Sequence, residues 1–73
     1  MARVLHVFKG DHPAEALAVI RLQITGDQVD VALLAGAPAP ALPAGVTVHR
    51  VPEETSYDGL VELIFTADHV VTW

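Results

Sequence analysis

An α/β domain with a four-stranded, mostly parallel sheet and two helices is the fold class this sequence predicts. Three observations carry the prediction. The run "RVLHVF" at residues 3–8 has apolar side chains on both faces, the pattern of a strand covered from two sides. Two later segments, near residues 13–24 and 56–66, space their apolar residues three and four apart, which is the period of a half-buried helix. Proline, glycine and polar clusters separate these helices from three further β-rich runs, so the order reads β-α-β-β-α-β. Seventy-three residues make one domain, 1–73.

After the first strand, Asp11 or His12 can cap a helix, Pro13 is tolerated in its first turn, and Glu15 complements the positive end of the helix dipole. The helix is expected from Pro13 to Ile24, with Leu17, Ile20 and Ile24 on one face. "TGD" at residues 25–27 stops it, and "QVDVALL" from Gln28 to Leu34 reads as the second strand. Residues 35–45, "AGAPAPALPAG", carry three of the five prolines and form a semi-rigid connection with no helix of its own. "VTVHRV", residues 46–51, is a third strand, followed by the polar turn "PEETS". Thr55 with Asp58 resembles a capping box, so the second helix is expected from Ser56 to Thr66 with Tyr57, Leu60, Val61 and Ile64 on one stripe. "HVVTW" at residues 69–73 is the fourth strand. In a doubly wound sheet of an order such as 2-1-3-4, right-handed crossovers put the two helices on opposite faces. Two short helices cannot cover both faces of four strands, which leaves apolar area for a partner. A ferredoxin-like split β-α-β arrangement is the alternative for the same string of elements.

Composition narrows the chemistry. The chain has no cysteine, which excludes a thiolate nucleophile, a persulfide carrier, a Cys-ligated zinc site and an iron–sulfur cluster built on its own residues. It is 52% hydrophobic and 18% charged, so something other than water is expected to cover part of it, as in an oligomer. Net charge is −5, and the four basic residues, Arg3, Lys9, Arg21 and Arg50, are scattered, so no stripe exists to track a phosphate backbone. Apolar runs fall well short of the ~20 residues a membrane helix needs. Without a signal-peptide layout at residue 1, the expected location is the cytoplasm.

In doubly wound sheets ligands sit beyond the carboxyl ends of the strands. There "KGDHP" offers Lys9, Gly10, Asp11 and His12 to a small anion at the start of the first helix, although Asp11 and Pro13 also suit plain helix initiation. The four histidines, His6, His12, His49 and His69, lack metal-ligand spacing, and His6 and His49 are expected on neighbouring strands as packed residues; no metal or cofactor is expected. Ser56 stands in no nucleophile elbow, and Glu53 and Glu54 read as a solvated turn, so no catalytic constellation emerges and the chain is not expected to be an enzyme. Tyr57 and Trp73 are the aromatic candidates for a partner interface, with a core-edge anchor as the other reading of Trp73, while Tyr57 and Phe65 also read as packing residues of the second helix.

The first strand running into "GDHPAEAL", the segment "GDQVDVALLAGAPAPAL", the strand "VTVHRV" and the closing "SYDGLVELIFTADHVVTW" together resemble the DsrH/TusB branch of the DsrE-like sulfur-relay proteins. The resemblance covers nearly the whole chain in order of elements. It implies a small flavodoxin-like domain and a cytoplasmic assembly with DsrE- and DsrF-type (TusC- and TusD-like) subunits, or with itself as a homodimer. It also implies a role in persulfide transfer such as tRNA 2-thiouridine synthesis. Transfer in such proteins uses a cysteine, so only a structural or docking role carries over. The chain also passes from "VHRVPEE" to the second helix by a shorter connection than those relatives have. A local likeness links "RVLHVFKGDHP" to the opening of family 4-like glycosyltransferases, which need several hundred residues and a second domain.

Overall fold

The computed structural model describes residues 2–9, 13–34, 37 and 41–73. Strands β1 (Arg3–Phe8), β2 (Gln28–Leu33), β3 (Thr47–Arg50) and β4 (His69–Thr72) alternate with helices α1 (Pro13–Gln23) and α2 (Tyr57–Thr66). All pairings are parallel, so the class is α/β, consistent with a small flavodoxin-like domain, and the split β-α-β alternative does not hold. The order is β3-β2-β1-β4 where 2-1-3-4 was the expected example. The chain continues outward from β2 to β3, and the direction reverses only after β3, when α2 leads back to β4 beside β1.

The register Leu5↔Asp30 and His6↔Val31 sorts alternate residues onto two faces. On one, Ala16 and Ile20 of α1 pack against Phe8, Val29, Val31 and Leu33. Ala37, Leu42 and Val46, which lie between β2 and β3, pack against the same layer. On the other face Leu60, Leu63 and Ala67 approach Leu5, Val7, Ala32 and Val51. The two helices therefore lie on opposite faces, but unequally held: Ala16 and Ile20 of α1 are fully buried, while α2 buries no residue completely.

Helix α2 starts one residue later than the capping-box reading expects. Ser56, extended at φ −67° and ψ 165°, is the N-cap, and its Oγ accepts from the Gly59 N–H at 3.1 Å. Thr55 is spent on the preceding turn, where the N–H groups of Glu54 and Thr55 both donate to the Arg50 carbonyl. Position 59 suits glycine, because a Cβ there would stand 2.9 Å from Thr55 Cγ2. Ser56→Ala should cost about 1 kcal/mol, since it orphans the Gly59 amide, and a urea titration checks this. An unchanged midpoint would remove the cap from the account.

Candidate functional site

Strand order reverses between β1 and β4, so the crevice beyond their carboxyl ends is where a doubly wound sheet offers a site. Lys9 and Trp73 meet there: the Lys9 N–H donates to the Trp73 carbonyl at 3.0 Å, and the Trp73 N–H donates to the Val7 carbonyl at 2.8 Å. Lys9 is exposed at this edge. Gly10, Asp11 and His12, the other members of the anticipated anion site, lie outside the described residues.

Trp73 does not project outward. Partly buried, it packs against the α1 layer, and its indole N–H donates to His6 Nδ1 at 2.9 Å. His6 is fully buried in the middle of β1, and its Nε2 lies 2.6 Å from Gln23 Oε1 at the end of α1. An indole nitrogen can only donate, so Nδ1 must be the unprotonated nitrogen and Nε2–H must donate to the glutamine carbonyl. The ring planes are 15° apart with centroids 6.1 Å apart, too far for face contact and suited to an in-plane hydrogen bond. Three elements distant in sequence are thus tied by one neutral histidine whose tautomer is fixed by its neighbours. Burial pushes the His6 pKa below its ordinary 6.5, and the Gln23 hydrogen bond pulls the other way without cancelling it.

A pH dependence follows. Because the folded pKa is lowered, the unfolded chain takes up this proton first as pH falls. The stabilisation is fully present above about pH 6.5 and is lost as pH falls through the lowered folded value, with a slope of at most about 1.4 kcal/mol per pH unit. Trp73 is the sole tryptophan, so its fluorescence in denaturant titrations between pH 7.5 and 5 reads the effect. A His6→Gln variant should flatten this part of the profile, and an unaltered profile would count against His6 as the group.

The remaining candidates separate. His6 and His49 are not on neighbouring strands: β2 lies between β1 and β3, and the register puts His6 opposite Val31 but His49 opposite Ala32, on the other face. Alternation along β2 explains why two histidines that look alike in sequence end up on opposite sides. Among the described residues His49 Nε2 is buried without a hydrogen-bond partner, and His69 is exposed on β4. Among the described residues no three His, Asp or Glu side chains cluster as metal ligands would. Ser56 is occupied by capping, and Glu54 Oε1 accepts from the Arg50 N–H at 3.4 Å.

On the α2 face Asp30, 3% exposed, faces Arg3 across β1 and β2, with Oδ2 and Nε 3.6 Å apart. That pair was not anticipated, although an aspartate within an apolar strand beside one beginning with arginine was a usable signal. Tyr57, 57% exposed, and Phe65, 83% exposed, do not pack the helix onto the sheet as expected, because Leu60 and Leu63 take the sheet-facing positions; with Val61 and Ile64 they line an apolar flank of α2. Among the described residues no helix is long and apolar enough to cross a membrane. Comparison of the chain with protein-family models, with curated proteins and with solved structures returned no match.

Proposed function

We propose that this chain is a non-catalytic subunit of a cytoplasmic sulfur-relay assembly of the DsrEFH/TusBCD type, with a structural or docking role in persulfide transfer such as tRNA 2-thiouridine synthesis. The observation that carries the reading is helix α2, apolar along one flank and without a single buried residue, which gives the domain a surface suited to assembly. The ordered likeness of the sequence to the DsrH/TusB branch supplies the class of partner, small DsrE- and DsrF-like proteins that bring the cysteine this chain lacks. Affinity capture from native extract with the tagged chain, followed by mass spectrometry, tests it. Recovery of small cysteine-bearing DsrE-like subunits is expected, and their absence from repeated captures would overturn the reading.

A second reading has its own observation. Lys9 is exposed at the reversal of strand order, the place where a stand-alone homodimeric regulatory domain would bind a small anion. Titration with phosphate-bearing metabolites should then shift the amide resonances of Lys9, Gly10 and His12; still resonances would end it.

A further inference from the structure

Two edges bound the sheet, and they are protected unequally. β3 ends in the charged Arg50, with Pro52 two residues beyond it, devices that discourage pairing with another strand. β4, "HVVT", carries no Lys, Asp, Glu or proline, and Val70 within it is 42% exposed. The register Leu5↔Val70 aims that valine to the α2 side of the sheet.

Helix α2 presents its apolar flank to the same edge. The chain leaves β3 at one side, runs through α2 and arrives at β4 on the other; a right-handed crossover fixes which flank of the helix faces which edge. With Leu60 and Leu63 toward the sheet, helical spacing places Tyr57, Val61 and Ile64 on the β4 side and Glu62 and Thr66 on the β3 side. Phe65, 83% exposed, borders the apolar flank. Tyr57, Val61, Ile64, Phe65 and Val70 together expose about 500 Å², toward the upper end of the largest apolar patch a typical monomer carries and more than half of the ~800 Å² per partner that a stable complex buries.

The structure assigns this surface to a second copy of the chain: we propose a two-fold dimer in which β4 pairs antiparallel with its counterpart and the apolar flanks of the two α2 helices close over the junction. The inference rests on the assembly reading for its surface and goes beyond it in the occupant, which is a second copy rather than a DsrE- or DsrF-like subunit. Two features select a second copy. An open, uncharged strand beside an apolar helix flank is its own complement under a two-fold axis, because a strand pairs with a strand and an apolar flank with an apolar flank. The patch contains no charged residue, so the net charge of −5 per chain sets no like charges against each other at its centre.

Light scattering on the purified full chain, from low micromolar to millimolar concentration, should give about twice the 7.8 kDa of one chain. Val70→Lys and, separately, Phe65→Glu should each weaken association by about ten-fold or more, with the far-UV spectrum unchanged. Val48→Lys, on the β3 edge, should leave it intact. A monomer throughout the range overturns the proposal, as does a dimer that survives both substitutions in folded protein. Its failure is separable from that of the relay reading. Dimerisation without capture of DsrE-like proteins would refute only the latter, and a monomer that captures them would refute only the former.

Discussion

Trp73→Ala is expected to destabilise the fold by about 3 kcal/mol, from lost burial of the indole and from the unpaired His6 Nδ1 it leaves behind. Total stability for a chain of this size is roughly 4–11 kcal/mol, so the variant stands near the limit of folding. Trp73→Phe keeps an aromatic ring against the α1 layer but removes the N–H, and should cost about 1–2 kcal/mol. Urea titrations followed by far-UV circular dichroism, which does not depend on the tryptophan, compare the two. Equal losses would assign the whole effect to the hydrogen bond; no loss on Trp73→Phe would show that the histidine network contributes nothing. Freed of the indole N–H, Nδ1 of His6 can take a proton more easily, so the phenylalanine variant should also have a flatter stability profile below about pH 6.5.

Leu5→Ala is expected to cost about 2–5 kcal/mol, because Leu5 is 1% exposed beneath α2 and belongs to the apolar cluster that Leu60, Leu63 and Ala67 join. The loss should be uneven across the molecule. α2 is held only by partly buried side chains, whereas α1 has Ala16 and Ile20 fully enclosed. Hydrogen exchange should therefore show α2 amides opening before those of α1 in the parent chain, and Leu5→Ala should widen the gap. If both helices exchange at one rate, the sheet and its two layers open as a single unit and the uneven account fails.

How much of this was readable in advance depends on the range of each interaction. β1 and β2 declared themselves through runs that are apolar on both faces apart from His6 and Asp30, the pattern of strands covered from two sides. α1 ended at Gln23, one residue short of the expected Ile24, whose amide still donates to the Ile20 carbonyl; helix ends shift by this much because the last turn frays. Strand order was less accessible. A connection of alanine and proline says that no helix forms, but not whether the next strand continues outward from β2 or returns past β1. The Trp73–His6–Gln23 network was hidden for a similar reason. Its two hydrogen bonds span 67 and 17 residues, and no local pattern encodes contacts of that length. One clue was present: a histidine inside "RVLHVF" had to find partners once that strand was buried. The anticipated anion site rested on Lys9 and three residues outside the described set, so only the position of Lys9 at the strand reversal can be compared with it.

The position of β1 in the sheet bears on how the chain is made. β1 is an interior strand, yet one of its two neighbours, β4, is separated from it by the rest of the domain: Val4 pairs with His69 and Val7 with Thr72. On the ribosome, at about 5–20 residues per second, β1 emerges several seconds before the residues that close its second side. β2 and, late in that interval, β3 can join β1, but one flank of β1 remains an open template for any passing strand. Translation speed and chaperone supply therefore act on this protein through a single unpaired edge, which vanishes only when His69–Thr72 have been added.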